Sequence, residues 1–304
     1  MGIKRPVVLG SAAAVLIAAV AGALLVKGFG PEDPVVPAYT RTATAGEKAL
    51  LYRAEERLIS RCMADHGYRY LDRAQPPAPT AAQREFPYVV DDPSWAKRYG
   101  YGLTLAATEQ PVEPADGNAA YVNKLSTADQ KAYQAALIGS GRQITIDLPA
   151  GGRVSVSNKG CVATARKQLY GDLRGWFAAS KTIEGLDRVV RRDVRADARY
   201  QAAVKDWAAC LRRSGVAVED PGALREELAR RTEKLPEADA KRTEVRFAVL
   251  EATCANSSSL GKTIHTIEPK HRAAAMAAHT DDQRLLAAYE VAALPRAHEA
   301  LDRG

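Results

Sequence analysis

The chain has 304 residues, of which 46% are hydrophobic and 26% charged, and its formal net charge is +7. This length allows one large domain or two modest ones, and the composition is that of a globular protein. Three of the positive charges, Lys4, Arg5 and Lys27, flank an N-terminal apolar run, so the remainder carries only about +4. Such a mild excess lacks the clustered basic stripe of a nucleic-acid-binding protein, and we expect no nucleic-acid partner.

Residues 6–26 have the composition of a membrane-spanning segment. They contain no charge, and at 1.5 Å per residue a helix of about 20 residues crosses a hydrocarbon core of about 30 Å. Because Lys4 and Arg5 hold residues 1–5 in the cytoplasm, we expect a single-pass protein of the cell membrane with its C-terminal domain outside. The alternative is a signal peptide cleaved near Ala21-Gly22-Ala23, which would leave a secreted protein. Apolar residues continue past that site, which favours the uncleaved anchor.

The rest of the chain is predicted to be a flexible linker followed by a folded part. Residues 27–46 are rich in proline, glycine and small polar residues, a composition that cannot bury a core. The folded part is predicted to be mainly α, with two helical halves, 47–175 and 176–304. One β-hairpin is expected in the first half at about 142–157, because two short alternating segments surround a turn at residues 149–152.

Hydrophobic spacing predicts helices on both sides of the hairpin. One covers residues 47–66, another begins after Ser126 as its N-cap, and from Lys181 the pattern is helical to the end of the chain. Within this last part we expect Pro236 at the first position of a helix and Pro295 to kink or break one.

The four cysteines follow the apolar run, in a compartment where disulfides persist. They are Cys62, Cys161, Cys210 and Cys254. No C-x-x-C spacing is present, which argues against a redox motif or a zinc ribbon. Cys62 and Cys210 each follow a tyrosine by ten residues and precede a glycine, Gly67 or Gly215, by five, so each is expected in the last turn of a helix that the glycine ends. The next cysteine in the chain after Cys62 is Cys161, and the next after Cys210 is Cys254. We therefore predict the bridges Cys62–Cys161 and Cys210–Cys254, with four free thiols as the alternative.

Residues 71–118 form a long Pro-rich stretch with little regular pattern. Loops of this length in a compact domain are usually functional or disordered. Amphipathic rings on such a loop are favoured in binding patches. We therefore predict a partner-contact surface formed by Tyr88, Trp95, Tyr99 and Tyr101, with rings that cover a thin core as the alternative.

No motif in the chain is typical of a known reaction. Ser259 and Lys262 form an S-x-x-K pattern without its usual companion motifs, and the P-loop-like stretch 256–263 has an asparagine in place of the first glycine. His271 and His279 are eight residues apart beside acidic residues, a faint metal candidate that is outweighed by ordinary surface histidines. We therefore expect no catalytic residue, no metal and no cofactor.

Several motifs of the chain resemble those of a group of uncharacterised exported proteins of actinobacterial type. They are Tyr99-Gly100-Tyr101-Gly102, Ala120-Tyr121-Val122, the run from Leu125 to Tyr133, Gly160-Cys161, and the block of Trp207, Cys210, Gly215 and Asp220-Pro221. The resemblance covers about residues 50–300 and implies the helical architecture and the compartment, but no activity. Members often carry a lipid-anchor cysteine, which this chain lacks at the end of its apolar run.

These observations predict a non-catalytic, membrane-anchored protein of the cell envelope, whose extracytoplasmic domain is an interaction or accessory module. Its expected partners are the membrane, through the N-terminal helix, and an envelope protein or cell-wall polymer. The alternative is an enzyme that hydrolyses the cell wall or a glycan, for which paired carboxylates such as Asp91-Asp92 would act as acid and base.

Overall fold

A computed structural model describes residues 41–77, 79–80, 83–102 and 117–303. In these residues the protein is mainly α-helical, with eleven helices and a single two-stranded antiparallel hairpin in the first half, as predicted. The elements in chain order are α1 (Ala45–Asp65), α2 (Pro93–Tyr99), α3 (Gly117–Val122), α4 (Thr127–Leu137), β1 (Gln143–Asp147), β2 (Arg153–Ser157), α5 (Cys161–Tyr170), α6 (Leu173–Ala196), α7 (Ala198–Arg213), α8 (Pro221–Thr232), α9 (Glu237–Ser257), α10 (Leu260–Ala278) and α11 (Thr280–Asp302).

Local sequence signals set most of the helix ends. Thr44 accepts a hydrogen bond from the Glu47 amide while the Glu47 carboxylate accepts one from the Thr44 amide, a capping box that starts α1. Ser126 caps α4 as predicted. Gly67 and Gly215, at φ 79° and 84°, follow α1 and α7 in the left-handed conformation, which confirms their predicted role in ending these helices.

Two prolines lie at positions that differ from the prediction. Pro236 is the N-cap of α9 and precedes its first turn, one position earlier than predicted. Pro295 lies inside α11, and the helix continues to Asp302, so this proline does not break it. An internal proline costs about 3 kcal/mol, and Ala293 and Ala297, on either side of Pro295, are buried in the core.

The four cysteines form two disulfides, Cys62–Cys161 and Cys210–Cys254, which confirms the predicted pairing and shows that the free-thiol alternative is wrong. The first bridge joins the end of α1 to the start of α5. The second joins the last turn of α7 to the last turn of α9.

The described residues pack around two main apolar cores. The first core contains side chains of α1, β1, α5, the first part of α6 and α11, and the second contains side chains of α6, α7, α8, α9 and α10. α6 contributes to both, with Phe177 in the first and Val190 in the second. α11 therefore packs against α1. The predicted boundary at residue 175 stays a prediction.

Within the residues that the structure describes, no helix combines the length and the apolar character needed to cross a bilayer. The predicted cytoplasmic residues 1–5, the predicted anchor at residues 6–26 and most of the predicted linker at 27–46 lie outside the described residues.

Candidate binding groove

Part of the Pro-rich stretch is held on α9 by two buried glutamates. Glu251 Oε1 accepts a hydrogen bond from the Val90 amide at 3.2 Å, and Glu244 Oε1 accepts one from the Tyr101 amide at 2.8 Å. The two acids are seven residues apart, about two helical turns, so they lie on one face of α9. Because both bond to main-chain amides, they position the backbone of the stretch independently of its side chains.

A groove of about 1070 Å³ lies between the segment Phe86–Tyr88, α7 and the start of α8, and we call it the main groove. Six residues of α7 line it, and four of them, three or four positions apart, form one row along the helix: Gln201, Lys205, Ala208 and Arg212. Tyr200 and Val204 lie beside this row. Tyr88 and Tyr200 are buried in the wall of the groove, with their rings in edge contact at 6.2 Å between centroids. This volume slightly exceeds the range of about 300–1,000 Å³ for small-molecule sites, so the groove has room for a short peptide segment.

A second cavity of about 550 Å³, the side cavity, adjoins the main groove. Phe86, Pro87 and Arg225 line both spaces, so the two cavities meet at these residues. Val90 and Tyr101 also line the side cavity, which places it against the main chain that α9 holds.

The charged side chains that line the two cavities are mainly basic. They are Arg84, Arg191, Arg195, Lys205, Arg212 and Arg225 against Glu85, Glu219 and Asp220. The side chains of Arg191, Lys205 and Arg212 form no ion pair or hydrogen bond with another described residue. Asp220, in contrast, is occupied as the N-cap of α8, where it accepts from the Ala223 amide at 2.9 Å. The rim therefore carries positive charge that forms no ion pair within the described part of the chain.

Arg225 connects this basic rim to a buried acid. Its guanidinium donates to the Pro221 carbonyl at 3.0 Å, lies 3.4 Å from Glu251 Oε1 and is 5.3 Å from the centre of the Tyr101 ring. Burial raises the pKa of the Glu251 carboxyl, an effect that Arg225 opposes. Burial, followed by the neighbouring Glu251 charge, raises the pKa of the Tyr101 hydroxyl. The Arg225 side chain is 38% exposed, so a group in the groove can still reach it.

Two of the four rings predicted as a contact surface are buried. Tyr88 is 4% and Trp95 8% exposed, while Tyr99 and Tyr101 are half-buried. Trp95 packs on Phe86 and Tyr99 at 4.8 and 5.3 Å between ring centroids. Only Tyr88 of the four lines the main groove and only Tyr101 the side cavity. Their role in partner contact stays a prediction.

A third cavity of about 550 Å³ contains the adjacent acids Asp91 and Asp92. Asp91 Oδ2 lies 2.7 Å from His265 Nε2, and Asp92 is the N-cap of α2. The described lining of this cavity has no serine or cysteine that the histidine could activate. Ser259 is exposed at the junction of α9 and α10, outside that lining, whereas Lys262 lies within it. The S-x-x-K residues are therefore not placed together in this cavity.

One group among the described residues has the spacing of metal ligands, formed by Cys62, His66 and Cys161. Because the two cysteines are joined in a disulfide, neither can supply the thiolate that binds a metal. His271 and His279, the faint candidates of the sequence, each contact one aspartate instead, at 3.0 and 2.9 Å. Neither arrangement offers three free ligands.

The residues that form the rim of the main groove were not predicted from the sequence. Lys205 and Arg212 are two of many basic residues on predicted helices, and their seven-residue spacing identifies a common face but not what lies opposite it. The opposite wall, Phe86–Tyr88, belongs to a segment without regular periodicity, so no local pattern predicted the pairing.

Comparison of the chain with protein-family models, with curated proteins and with solved structures found no match.

Proposed function

We propose that this chain is a non-catalytic, membrane-anchored protein of the cell envelope whose extracytoplasmic domain binds a partner in the main groove. The observation that carries the proposal is a formed groove with aromatic walls and two rim cations, Lys205 and Arg212, that form no ion pair with a described residue. Disulfides persist in oxidising compartments, so the two bridges support a location outside the cytoplasm.

The walls of the main groove are held by contacts that exist without a ligand. Arg195 donates to the Pro87 carbonyl at 3.3 Å, Glu251 holds Val90, and the Cys210–Cys254 bridge fixes the end of α7. A site that is ordered before binding avoids part of the entropic cost of association. This rigidity supports recognition of a partner by a fixed surface.

The lining of the main groove favours binding over catalysis. Its described residues include no serine, cysteine or histidine, and its two acids, Glu219 and Asp220, are adjacent in sequence with Asp220 occupied as a helix cap. A glycoside hydrolase needs two carboxylates on opposite sides of the scissile bond. The alternative of cell-wall or glycan hydrolysis therefore has weaker support.

Site-specific photo-cross-linking in the native envelope tests the proposal. A photoreactive amino acid replaces Gln201 in the groove or, as a matched control, Gln134, an exposed glutamine of α4 outside all of the described cavities. We expect a discrete cross-linked species from position 201 that is absent from position 134, because only the groove positions a partner within reach of the probe.

Cross-linking at neither position, or the same species at both, would contradict a groove-bound partner.

The full chain is also incubated with purified cell wall. Release of soluble fragments by the protein, abolished by Asp91→Asn, would overturn the non-catalytic proposal in favour of hydrolysis.

A further inference from the structure

We infer that the ligand of the main groove is an extended acidic peptide segment of a partner protein, with carboxylates on the rim cations and apolar side chains against the aromatic wall. This inference rests on the proposed function, because it names the class of ligand that the same groove takes.

The rim cations favour carboxylates at a defined spacing. Lys205 and Arg212 are seven residues apart on one face of α7, which places them about 10.5 Å apart along the helix axis. Three residues of a polyproline II chain cover about 9.3 Å, and every third side chain of this extended conformation points the same way. Acidic residues three positions apart therefore match the two cations, while Arg225 offers a third positive charge at the junction with the side cavity.

The apolar part of the lining favours a peptide over a polyanion without apolar groups. Phe86, Pro87, Tyr88, Tyr200, Val204 and Ala208 line the main groove beside the cations. A phosphodiester polymer would use only the rim charges, whereas a peptide also buries side chains on this wall, at roughly 25 cal/mol for each Å² of apolar surface. Aromatic-lined grooves are a common way to bind extended Pro-containing segments.

The side cavity extends the site beyond the volume that a compact small molecule needs. It continues from the main groove past Phe86 and Pro87 and is lined by Val90 and Leu228 together with Arg191. Because both apolar and basic residues recur there, a chain that alternates acidic and apolar side chains can use the two cavities in succession.

The test uses the full oxidised chain in lipid nanodiscs and a displayed library of random peptides of about twelve residues as the probe. We expect the selected peptides to be enriched in aspartate or glutamate three residues apart, next to aromatic or aliphatic residues. The double variant Lys205→Glu/Arg212→Glu should weaken their binding by about tenfold or more, since attraction at two rim positions becomes repulsion.

The matched control is Lys131→Glu/Arg174→Glu, which changes the net charge equally at two exposed residues outside both cavities and should alter binding less than twofold. Circular dichroism and non-reducing peptide mapping verify that both variants keep their helices and disulfides.

The outcomes distinguish an error in the inferred ligand class from an error in the proposed function. Selected peptides without acidic enrichment, or with equal affinity for the Lys205→Glu/Arg212→Glu variant, would overturn the inference. So would binding of purified glycerol-phosphate polymer in the groove without binding of peptides. In each of these cases cross-linking at position 201 would persist and the proposed function would stand. Loss of cross-linking at position 201 together with the absence of any selected peptide would overturn both.

Discussion

Glu251 is a fully buried carboxylate among the contacts that hold the main groove. Burial raises its pKa above the ordinary glutamate value of about 4.5 because the surroundings disfavour the charged form. Between the unfolded and the folded pKa the folded protein binds more protons than the unfolded chain. The contribution of Glu251 to stability therefore falls as the pH rises from about 4.5 through the raised pKa.

The variant Glu251→Gln should lack this pH-dependent loss. The glutamine oxygen can still accept the hydrogen bond of the Val90 amide, but the side chain no longer has to be charged inside the protein. We expect the free energy of unfolding of the variant, relative to the wild type, to increase as the pH rises from about 4 to about 8. Urea unfolding across this pH range measures the difference.

Glu251→Leu serves as the control, because it removes the titrating group and the acceptor together. It should be less stable than Glu251→Gln by about 1–3 kcal/mol at every pH, since the Val90 amide is left unsatisfied. Parallel pH profiles of the wild type and Glu251→Gln would show that the buried carboxylate does not have a raised pKa.

At the scale of elements, the main chain after α4 and the main chain before α5 approach each other closely at two glycines, Gly139 and Gly160. Gly160 has φ 91°, and a Cβ there would lie 2.5 Å from the Gly139 nitrogen. Gly139 has φ 81°, and its Cβ would lie 2.1 Å from the Lys159 carbonyl oxygen. All of the obstructing atoms belong to the main chain, so they cannot move as a flexible side chain would. Since Cys161 directly follows, this close approach also positions the first disulfide.

Gly160→Ala should therefore destabilise the protein by about 3 kcal/mol or more, through backbone strain and steric overlap together. Gly171→Ala is the matched control at the other end of α5, because Gly171 has φ 77° but open space around its Cβ position. The control should lose only about 1 kcal/mol, the cost of the left-handed conformation. Equal losses in denaturant unfolding would show that the Gly139–Gly160 contact is not restrictive.

At the scale of the whole molecule, the two disulfides fasten different parts of the helical assembly. Cys62–Cys161 closes a span of 99 residues between α1 and α5, and Cys210–Cys254 closes one of 44 residues between α7 and α9. The loop-entropy model gives upper values of about 4.7 and about 4 kcal/mol for spans of these lengths.

Replacing each cysteine pair by alanine should lower the free energy of unfolding by about 2–5 kcal/mol, with the larger loss for Cys62→Ala/Cys161→Ala because its span is longer. Urea unfolding of the two double variants beside the oxidised wild type measures both losses. A wild-type protein whose stability does not change on full reduction would refute the stabilising role of the bridges.

Much of the fold could be predicted because its signals are local. Ser126 predicted the start of α4, and Gly67 and Gly215 predicted the ends of α1 and α7, since capping and the left-handed conformation depend on only a few neighbouring residues. The hairpin was predictable for the same reason, from alternation around one turn. The disulfide pairing followed from two matching sequence surroundings and the order of the cysteines.

The candidate site was predicted only in part. The Pro-rich stretch was expected to be important, yet Trp95 proved to pack inward on Phe86 and Tyr99. The rim cations Lys205 and Arg212 were not singled out, because a solvated basic face and the rim of a groove have the same sequence pattern.

By itself, the sequence determined the long helices, the hairpin and the two bridges, because each depends on hydrophobic spacing, caps or the order of a few cysteines. It did not indicate α2, which lies in the stretch predicted to have little regular pattern. Only the tertiary structure decided that α11 packs against α1, that Glu244 and Glu251 hold the Pro-rich stretch, and that this stretch forms a groove with α7. These features join residues far apart in the chain, where the contact free energy must exceed the entropy lost on closing a long loop. No local sequence pattern indicates which distant surfaces pack together.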